Sequence, residues 1–289
     1  MKDYFGYKGK TVVVTGASSG MGKATAEMLV DLGAKVYALN RSEVKVDGIK
    51  KYISTDLSNK ESIDEAFKII PEHIDSFFGI AGASGVHTDF LTTVKIDLIS
   101  NKYITENILS KRMKEGGSIA YMTSIAGNGW ELEGNAKYYL PVVESFGWDE
   151  AVEIIEESPL VFLPGNFGYS FSKLAMHYLV AKYQALFASK KIRVNAVLPG
   201  STNTGLKDDF IKLIGSEENL LKYTGYAQRL ATSEEMAKPI VFLNSDMASY
   251  TSGELMIVDY GTSIESKAKI KQNIAGFTFD MIMKKMEQK

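Results

Sequence analysis

The sequence contains no cysteine, and that absence removes disulfides, thiolate metal sites and a cysteine nucleophile. Histidine is almost as scarce: His73, His87 and His177 are scattered without the spacing of ligands, so no metal is expected. No apolar run approaches the roughly 18 residues a membrane span needs, and MKDYFGYKGK at the N-terminus has no apolar stretch behind its charges. A cytoplasmic protein with no membrane partner is expected. Neither sign of charge dominates. The formal net charge is −2 and the Lys and Arg residues are dispersed, so nucleic acid is not an expected partner either. Repeats and low-complexity segments are also missing. What is present is a chain of 289 residues with 45% hydrophobic content, enough for a sizeable core, which reads as one α/β domain over 1–289.

The stretch Thr11 to Gly22, TVVVTGASSGMG, organises the rest. Thr11 to Val14 form a short buried strand, and Gly16, Gly20 and Gly22 open a tight loop running into a helical pattern from Lys23. Ser18, Ser19 and Met21 lie in the same loop. Free N–H groups and the helix dipole supply positive potential there, and glycines let a pyrophosphate approach the backbone. The spacing is Gly-x-x-x-Gly-x-Gly; taken alone, such a stretch can also be only a turn.

Beyond it, strand and helix patterns alternate, which predicts a doubly wound, Rossmann-like parallel sheet. Val36 to Leu39 is a second strand ending at Asn40 and Arg41. An acid at such a strand end accepts from the ribose 2′-hydroxyl of NAD, whereas a cation accommodates the 2′-phosphate of NADP. The acid is absent and Arg41 is present, so NADP is expected over NAD, against the plainer reading of Arg41 as a solvated surface charge. A third strand at 51–54 leads to Asp56 and Leu57; Asp56 either caps the helix 61–70 or meets an adenine. The fourth strand, 74–80, closes on Ala81 and Gly82, a long helix spans 93–113, and the fifth strand ends at Ser124 in the crevice of an open α/β sheet.

From about 127 to 166 the alternation is interrupted, with helical spacing over 142–157, which reads as a helical insertion over the crevice. Its aromatics Trp130, Tyr138, Tyr139, Phe146, Trp148 and Phe162 could line a pocket, serve a subunit contact or simply pack. Tyr169 then begins a helix, with Lys173 one turn on and on the same face. An ammonium beside a phenol lowers its pKa from about 10 toward the range of a general acid/base. One turn of exposed helix is the alternative. A sixth strand, 192–198, ends at Pro199, Gly200, Thr202 and Thr204; 206–229 could act as a lid, Ser233 is placed as the cap of helix 234–243, a last strand covers 254–259, and 263–289 is a basic amphipathic tail.

Thr15-Gly16-x3-Gly20-x-Gly22, a Ser ending the fifth strand, Tyr169-x3-Lys173 and Pro199-Gly200 together resemble the short-chain dehydrogenase/reductase family over about 8–261. The long gap between Ser124 and Tyr169 looks like the bacterial 3α-hydroxysteroid dehydrogenase/carbonyl reductase group, which carries an insertion there. The resemblance implies that Tyr169 exchanges a proton with the substrate oxygen, that Lys173 binds the nicotinamide ribose, and that Ser124 hydrogen-bonds the carbonyl. It places Thr202 and Thr204 at the carboxamide and phosphate and Asp56 near adenine. The implied activity is NADP-dependent interconversion of a secondary alcohol and a ketone, on a steroid or other bulky alicyclic substrate. The alternatives are a smaller or acyl-linked ketone, or a sensor that binds NADP without turnover. A homo-oligomer, dimer or tetramer, built on the helices 93–113 and 169–189 is implied as well. The chain departs from the family at Ile80 and Asp97, where Asn is usual, at Asn40, where NAD-using steroid relatives have an acid, and at Tyr260, where the last strand usually ends in Gly-Gly. Asp97 is thus the candidate fourth member of the catalytic group.

Overall fold

The apolar runs at 11–15, 35–40, 76–79, 118–122 and 193–199 become strands buried on both faces, the environment of a covered parallel sheet. The computed structural model describes residues 3–270 and 278–288. Its strands are β1 (Thr11–Thr15), β2 (Lys35–Asn40), β3 (Lys51–Ser54), β4 (Ser76–Gly79), β5 (Ser118–Met122), β6 (Arg193–Pro199) and β7 (Leu255–Val258). They pair in parallel in the order β3-β2-β1-β4-β5-β6-β7, with Val13 of β1 opposite both Tyr37 of β2 and Phe77 of β4. Period-two alternation divides the core: Val13, Phe77 and Tyr121 face one layer, while Val12, Val14, Phe78 and Met122 face the other. The chain leaves β3 on one side of β1 and returns as β4 on the other. That reversal opens a crevice at the carboxyl ends of β1 and β4.

The second layer is covered by α1 (Gly20–Asp31) and α9 (Ser233–Asn244); between these two in the chain come α2 (Lys60–Ile69), α3 (90–112), α4 (Glu133–Glu144), α5 (Asp149–Glu157), α6 (Gly165–Phe187), α7 (Lys207–Ile214) and α8 (Glu217–Leu221). Helices α2, α3 and α6 cover the first layer. Two shorter C-terminal elements complete the described chain, α10 (Thr262–Lys267) and α11 (Phe279–Glu287). No helix among the described residues is long and apolar enough to cross a membrane.

Local chemistry explains where boundaries differ from expectation. α3 is continuous but interrupted by two π-helical runs, Lys95–Ile99 and Ile104–Leu109, a distortion that frequently accompanies a functional site. α6 starts four residues before Tyr169, because Pro164 sets the entry and Gly165 lies against the Thr88 carbonyl, where a Cβ would fall within 1.9 Å. Asp56 does not cap α2. Asn59 does, while the Asp56 carboxylate accepts from the Ser58 N–H and hydroxyl at 2.8 and 2.7 Å. Likewise Thr232 caps α9 in a capping box with Glu235, and Ser233 is its first helical residue.

The insertion is two helices rather than one, broken at Ser145 to Trp148, where Gly147 takes φ +76°. It sits against α3 and α6. The fully buried Lys102 of α3 donates to Ser145 O and to Glu106, each at 2.7 Å; Tyr103 meets the Trp148 ring edge-on; Tyr178 and Lys182 of α6 hydrogen-bond Glu144. Tyr139 and Trp148 are buried and Trp130 and Tyr138 half-buried in this layer, whereas Phe146 and Phe162 are exposed. None of the six lines the cleft bordered by Gly16, Arg41 and Ala83. Packing therefore decides four of them, and the reading of this segment as a cover over the crevice is corrected.

Part of the expected basic tail is core. Phe279 is 1% exposed, stacks edge-on to Phe171 of α6 and takes its N–H to the Asn135 side chain of α4 at 2.9 Å. Residues 271–277 and 289 of that tail lie outside the described residues.

Candidate active site

The sheet end and two helices bring the predicted residues together. Ser124 follows β5 and caps a short turn, Ile125–Gly127, by accepting from the Ala126 N–H at 3.1 Å, and its hydroxyl lies near enough to Tyr169 to favour the phenolate. Tyr169 and Lys173 lie one turn apart on α6, with the Lys173 ammonium 5.0 Å from the centre of the Tyr169 ring. On its other side Lys173 meets Asp97, Nζ to Oδ2 3.1 Å, while Asp97 Oδ1 accepts from the Ala83 N–H at 2.7 Å. Asp97 stands in the first π-helical run of α3, so the distorted turn is what presents its carboxylate. Ser124, Lys173 and Asp97 are all buried, and Tyr169 is partly open.

Burial controls the charges. It pushes the Tyr169 phenol above its ordinary value; the Lys173 ammonium and the Ser124 hydrogen bond pull it down without cancelling that, and Asp97 adds to the rise. This corrects the expectation of a lowered phenol. Burial alone would lower Lys173, but the charges of Asp97 and Tyr169 outweigh it and the ammonium is held above its usual range. Asp97 is itself pushed up by burial, against the opposing pull of Lys173 and the Ala83 N–H.

A cleft of about 310 Å³ runs across the switch point. Of the residues expected to hold a dinucleotide, Gly16, Ser18, Asn40, Arg41, Leu57 and Ala81 line it. Gly16 takes φ +79° and a Cβ there would come 2.7 Å from Ala81 Cα; a Cβ at Gly22 would lie 2.1 Å from Gly16 O. Only glycine permits that closeness, and the Ser19 side chain leaves the first N–H groups of α1 uncapped, so the turn fits a pyrophosphate. Ser19, Gly20, Met21 and Gly22 build this turn without lining the cleft. Thr204 packs on it, 3.3 Å from a Cβ built at Gly20. Gly82 lies beside the Asp97–Lys173 pair. Asp56 is engaged by Ser58, Pro199 ends β6, the Thr202 hydroxyl turns back to Gly200 O at 2.9 Å, and Gly200 borders a separate cavity of about 120 Å³ with Tyr260. These four do not line the cleft.

Other wall residues carried no sequence signal: Ser42, Thr55, Ser84, His87 and Asp209. The segment read as a lid reaches over. Asp209 of α7 accepts from Ser84 at 2.6 Å and lies 3.1 Å from His87 Nε2, and the neighbouring Phe210 ring stands 5.5 Å from the Tyr169 ring. Thr15 Oγ1 accepts from the N–H groups of Ile80 and Ala81 at 3.0 and 3.2 Å, so β1 holds the end of β4 although Ile80 has no polar side chain.

Comparison with known proteins agrees with the fold. A family model described as short chain dehydrogenase matches residues 10–138, and one described as enoyl-(acyl carrier protein) reductase matches 155–263. The chain belongs to the short-chain dehydrogenase/reductase family. It is 29% identical over 253 residues to coniferyl-alcohol dehydrogenase of Pseudomonas sp. (strain HR199 / DSM 7063), covering 87% of this chain and 96% of that one. It is 25% identical to 7alpha-hydroxysteroid dehydrogenase of Clostridium sardiniense, covering 89% and 94%. The 3-alpha-hydroxysteroid dehydrogenase of Pseudomonas sp. B-0831, solved with NADH, superposes with TM-score 0.71 at 22% identity, covering 91% and 100%. Against the family pattern, Tyr260 keeps a glycine-like backbone at φ +55°, followed by Gly261 at +88°.

One buried group near this short-chain dehydrogenase site escaped sequence reasoning. His177 is one further turn along α6, and the i, i+4, i+8 spacing of Tyr169, Lys173 and His177 is the signal that could have found it. Burial lowers it from 6.5 to about 4, against the opposing pull of the Gly127 and Ser124 backbone. The unfolded chain therefore takes up a proton that the folded chain refuses as pH falls from 6.5 to about 4. Stability should fall by about 3 kcal/mol across that window. Urea midpoints measured against pH should show a shallower acid slope in His177→Gln; identical slopes would mean the imidazole is charged in the fold.

Proposed function

We propose that the chain is an NADP-dependent oxidoreductase interconverting a secondary alcohol and a ketone, a hydroxysteroid or other bulky alicyclic compound being the favoured substrate. The observation that carries this reading is the cluster of Ser124, Tyr169 and Lys173 at the carboxyl end of the sheet, with the Lys173 ammonium 5.0 Å from the Tyr169 ring centre and paired to Asp97. The glycine turn and the cleft would hold the dinucleotide, which when bound supplies the hydride donor or acceptor. Tyr169, neutral because burial raises it, gives its proton to the substrate oxygen in reduction and must lose it first in oxidation. Ser124 hydrogen-bonds the same oxygen as charge develops. Lys173 stays charged against Asp97 and limits the rise of the phenol.

Arg41 supports the choice of NADP. It lies in the cleft wall at the end of β2, and the described residues offer it no carboxylate within salt-bridge range, whereas Lys23 and Lys45 are paired with Glu27 and Glu43. For the substrate, Phe210 beside Tyr169 makes the approach to the phenol apolar, and the relatives named above act, by name, on coniferyl alcohol and hydroxysteroids. Because four of the six insertion aromatics pack into the core, they no longer argue for bulk, which gives a smaller or acyl-linked ketone its footing as the second reading. A cytoplasmic homo-oligomer, dimer or tetramer, completes the proposal; the insertion already covers parts of α3 and α6, so its interface includes the insertion or lies elsewhere.

The test is nicotinamide absorbance with NADPH and NADH against ketones ranging from small rings to oxo-steroids. Turnover confined to small ketones would remove the steroid reading. In that assay Tyr169→Phe should lower kcat by about 100-fold or more, with NADPH binding retained; loss of both would make Tyr169 structural. Asp97→Asn removes a charge that raises the phenol, so alcohol oxidation, which needs the phenolate, should begin at lower pH, and an unmoved or alkaline-shifted profile would refute the assignment. Arg41→Ala should raise the NADPH KM by about 10-fold, a loss of about 1.4 kcal/mol, and leave NADH nearly unchanged. Equal effects on the two would sink the NADP assignment.

A further inference from the structure

His177 is 1% exposed and lies under the turn that carries Ser124. Its Nε2 is 3.1 Å from Thr123 Oγ1, and that hydroxyl is 3.2 Å from Val197 O of β6. The Thr123 hydroxyl and the imidazole Nε2 therefore share a hydrogen bond that ties α6 to the residue before Ser124. The ring also occupies the space beside Gly127: a Cβ there would come 2.5 Å from His177 Cε1 and 2.7 Å from Nε2. Thr123 precedes Ser124 and Gly127 ends its turn, so one imidazole contacts the turn on both sides.

Filling space does not account for a histidine here. Nδ1 is buried and has no hydrogen-bond partner among the described residues, a cost that Phe or Leu at the same position would avoid. What those side chains lack is a ring nitrogen at hydrogen-bond distance from Thr123. We infer that His177 is a positioning residue for Ser124, fixing through Thr123 and Gly127 the turn that aims the Ser124 hydroxyl at Tyr169, an inference that rests on the roles proposed above for Ser124 and Tyr169.

His177→Phe, His177→Asn and His177→Gln would be measured in the full-length protein, each alone and combined with Ser124→Ala, reading kcat for ketone reduction and the NADPH Kd by fluorescence. The Gln amide nitrogen extends about as far as Nε2, whereas that of Asn stops near the Nδ1 position. Phe and Asn should each lower kcat by about 10-fold or more with Kd unchanged, and Gln should return kcat to within about twofold. With Ser124 already Ala, the same substitutions should cost almost nothing further. Full additivity in that background, or wild-type kcat in both Phe and Asn variants, overturns the inference while leaving the catalytic roles standing. Wild-type kcat in Ser124→Ala alone overturns both, because the turn would then position nothing that reacts. The Asn and Gln pair keeps the test decisive if the Phe variant does not fold.

Discussion

A buried ammonium must be compensated, and in this protein the compensation of Lys173 by Asp97 ties the parts of the site together. Lys173 rides on α6, Asp97 on the distorted turn of α3, and the second oxygen of Asp97 holds the backbone at Ala83 just after the end of β4. Two helices and the rim of the sheet are therefore fixed against each other by one carboxylate. Where the family commonly has Asn, an amide could make the same backbone bond but would leave the ammonium without a countercharge. The same carboxylate that secures Lys173 also opposes ionisation of Tyr169. On the proposed assignment, the site keeps its phenol protonated at neutral pH and is set up to donate a proton, which suits reduction better than oxidation.

A similar compensation seats the insertion. Lys102 is fully buried because Glu106, one turn ahead, and the Ser145 carbonyl satisfy it, and the aromatics beside it close over α3 and α6. The insertion thus thickens one layer of the sandwich instead of enlarging the cleft. Phe279 continues the same layer from the far end of the chain. Elements at 133–157 and 279–287 stabilise the two helices that carry Asp97 and the Tyr169–Lys173 pair, without contributing to the cleft wall.

The strands and the glycine turn were legible because their signals are local: apolar runs, and positions where a Cβ cannot fit. Ser124, Tyr169, Lys173 and Asp97 were legible from order and spacing along the chain. Their electrostatics were not, since the direction in which Tyr169 moves depends on desolvation, which only the packed structure defines. The Asp209 clasp was invisible for a related reason: Ser84 and Asp209 are 125 residues apart and neither belongs to a recognisable pattern. His177 falls between these cases, on a visible stripe but with a purpose set by Thr123 and Gly127 from another element. The six aromatics of the insertion show the limit most plainly, because composition could not separate pocket, interface and packing.

The lid brings these terms to bear on one oxygen. Asp209 holds α7 across the cleft through Ser84 and His87, and this places Phe210 against the Tyr169 ring. An apolar ring there reduces the water around the partly open Tyr169, and with less water every charge around it acts more strongly. Desolvation raises the Tyr169 phenol, and the same desolvation strengthens the pull of Lys173 that limits the rise. Displacing Phe210 would weaken both, so α7 and the buried ion pair together tune the proton on Tyr169.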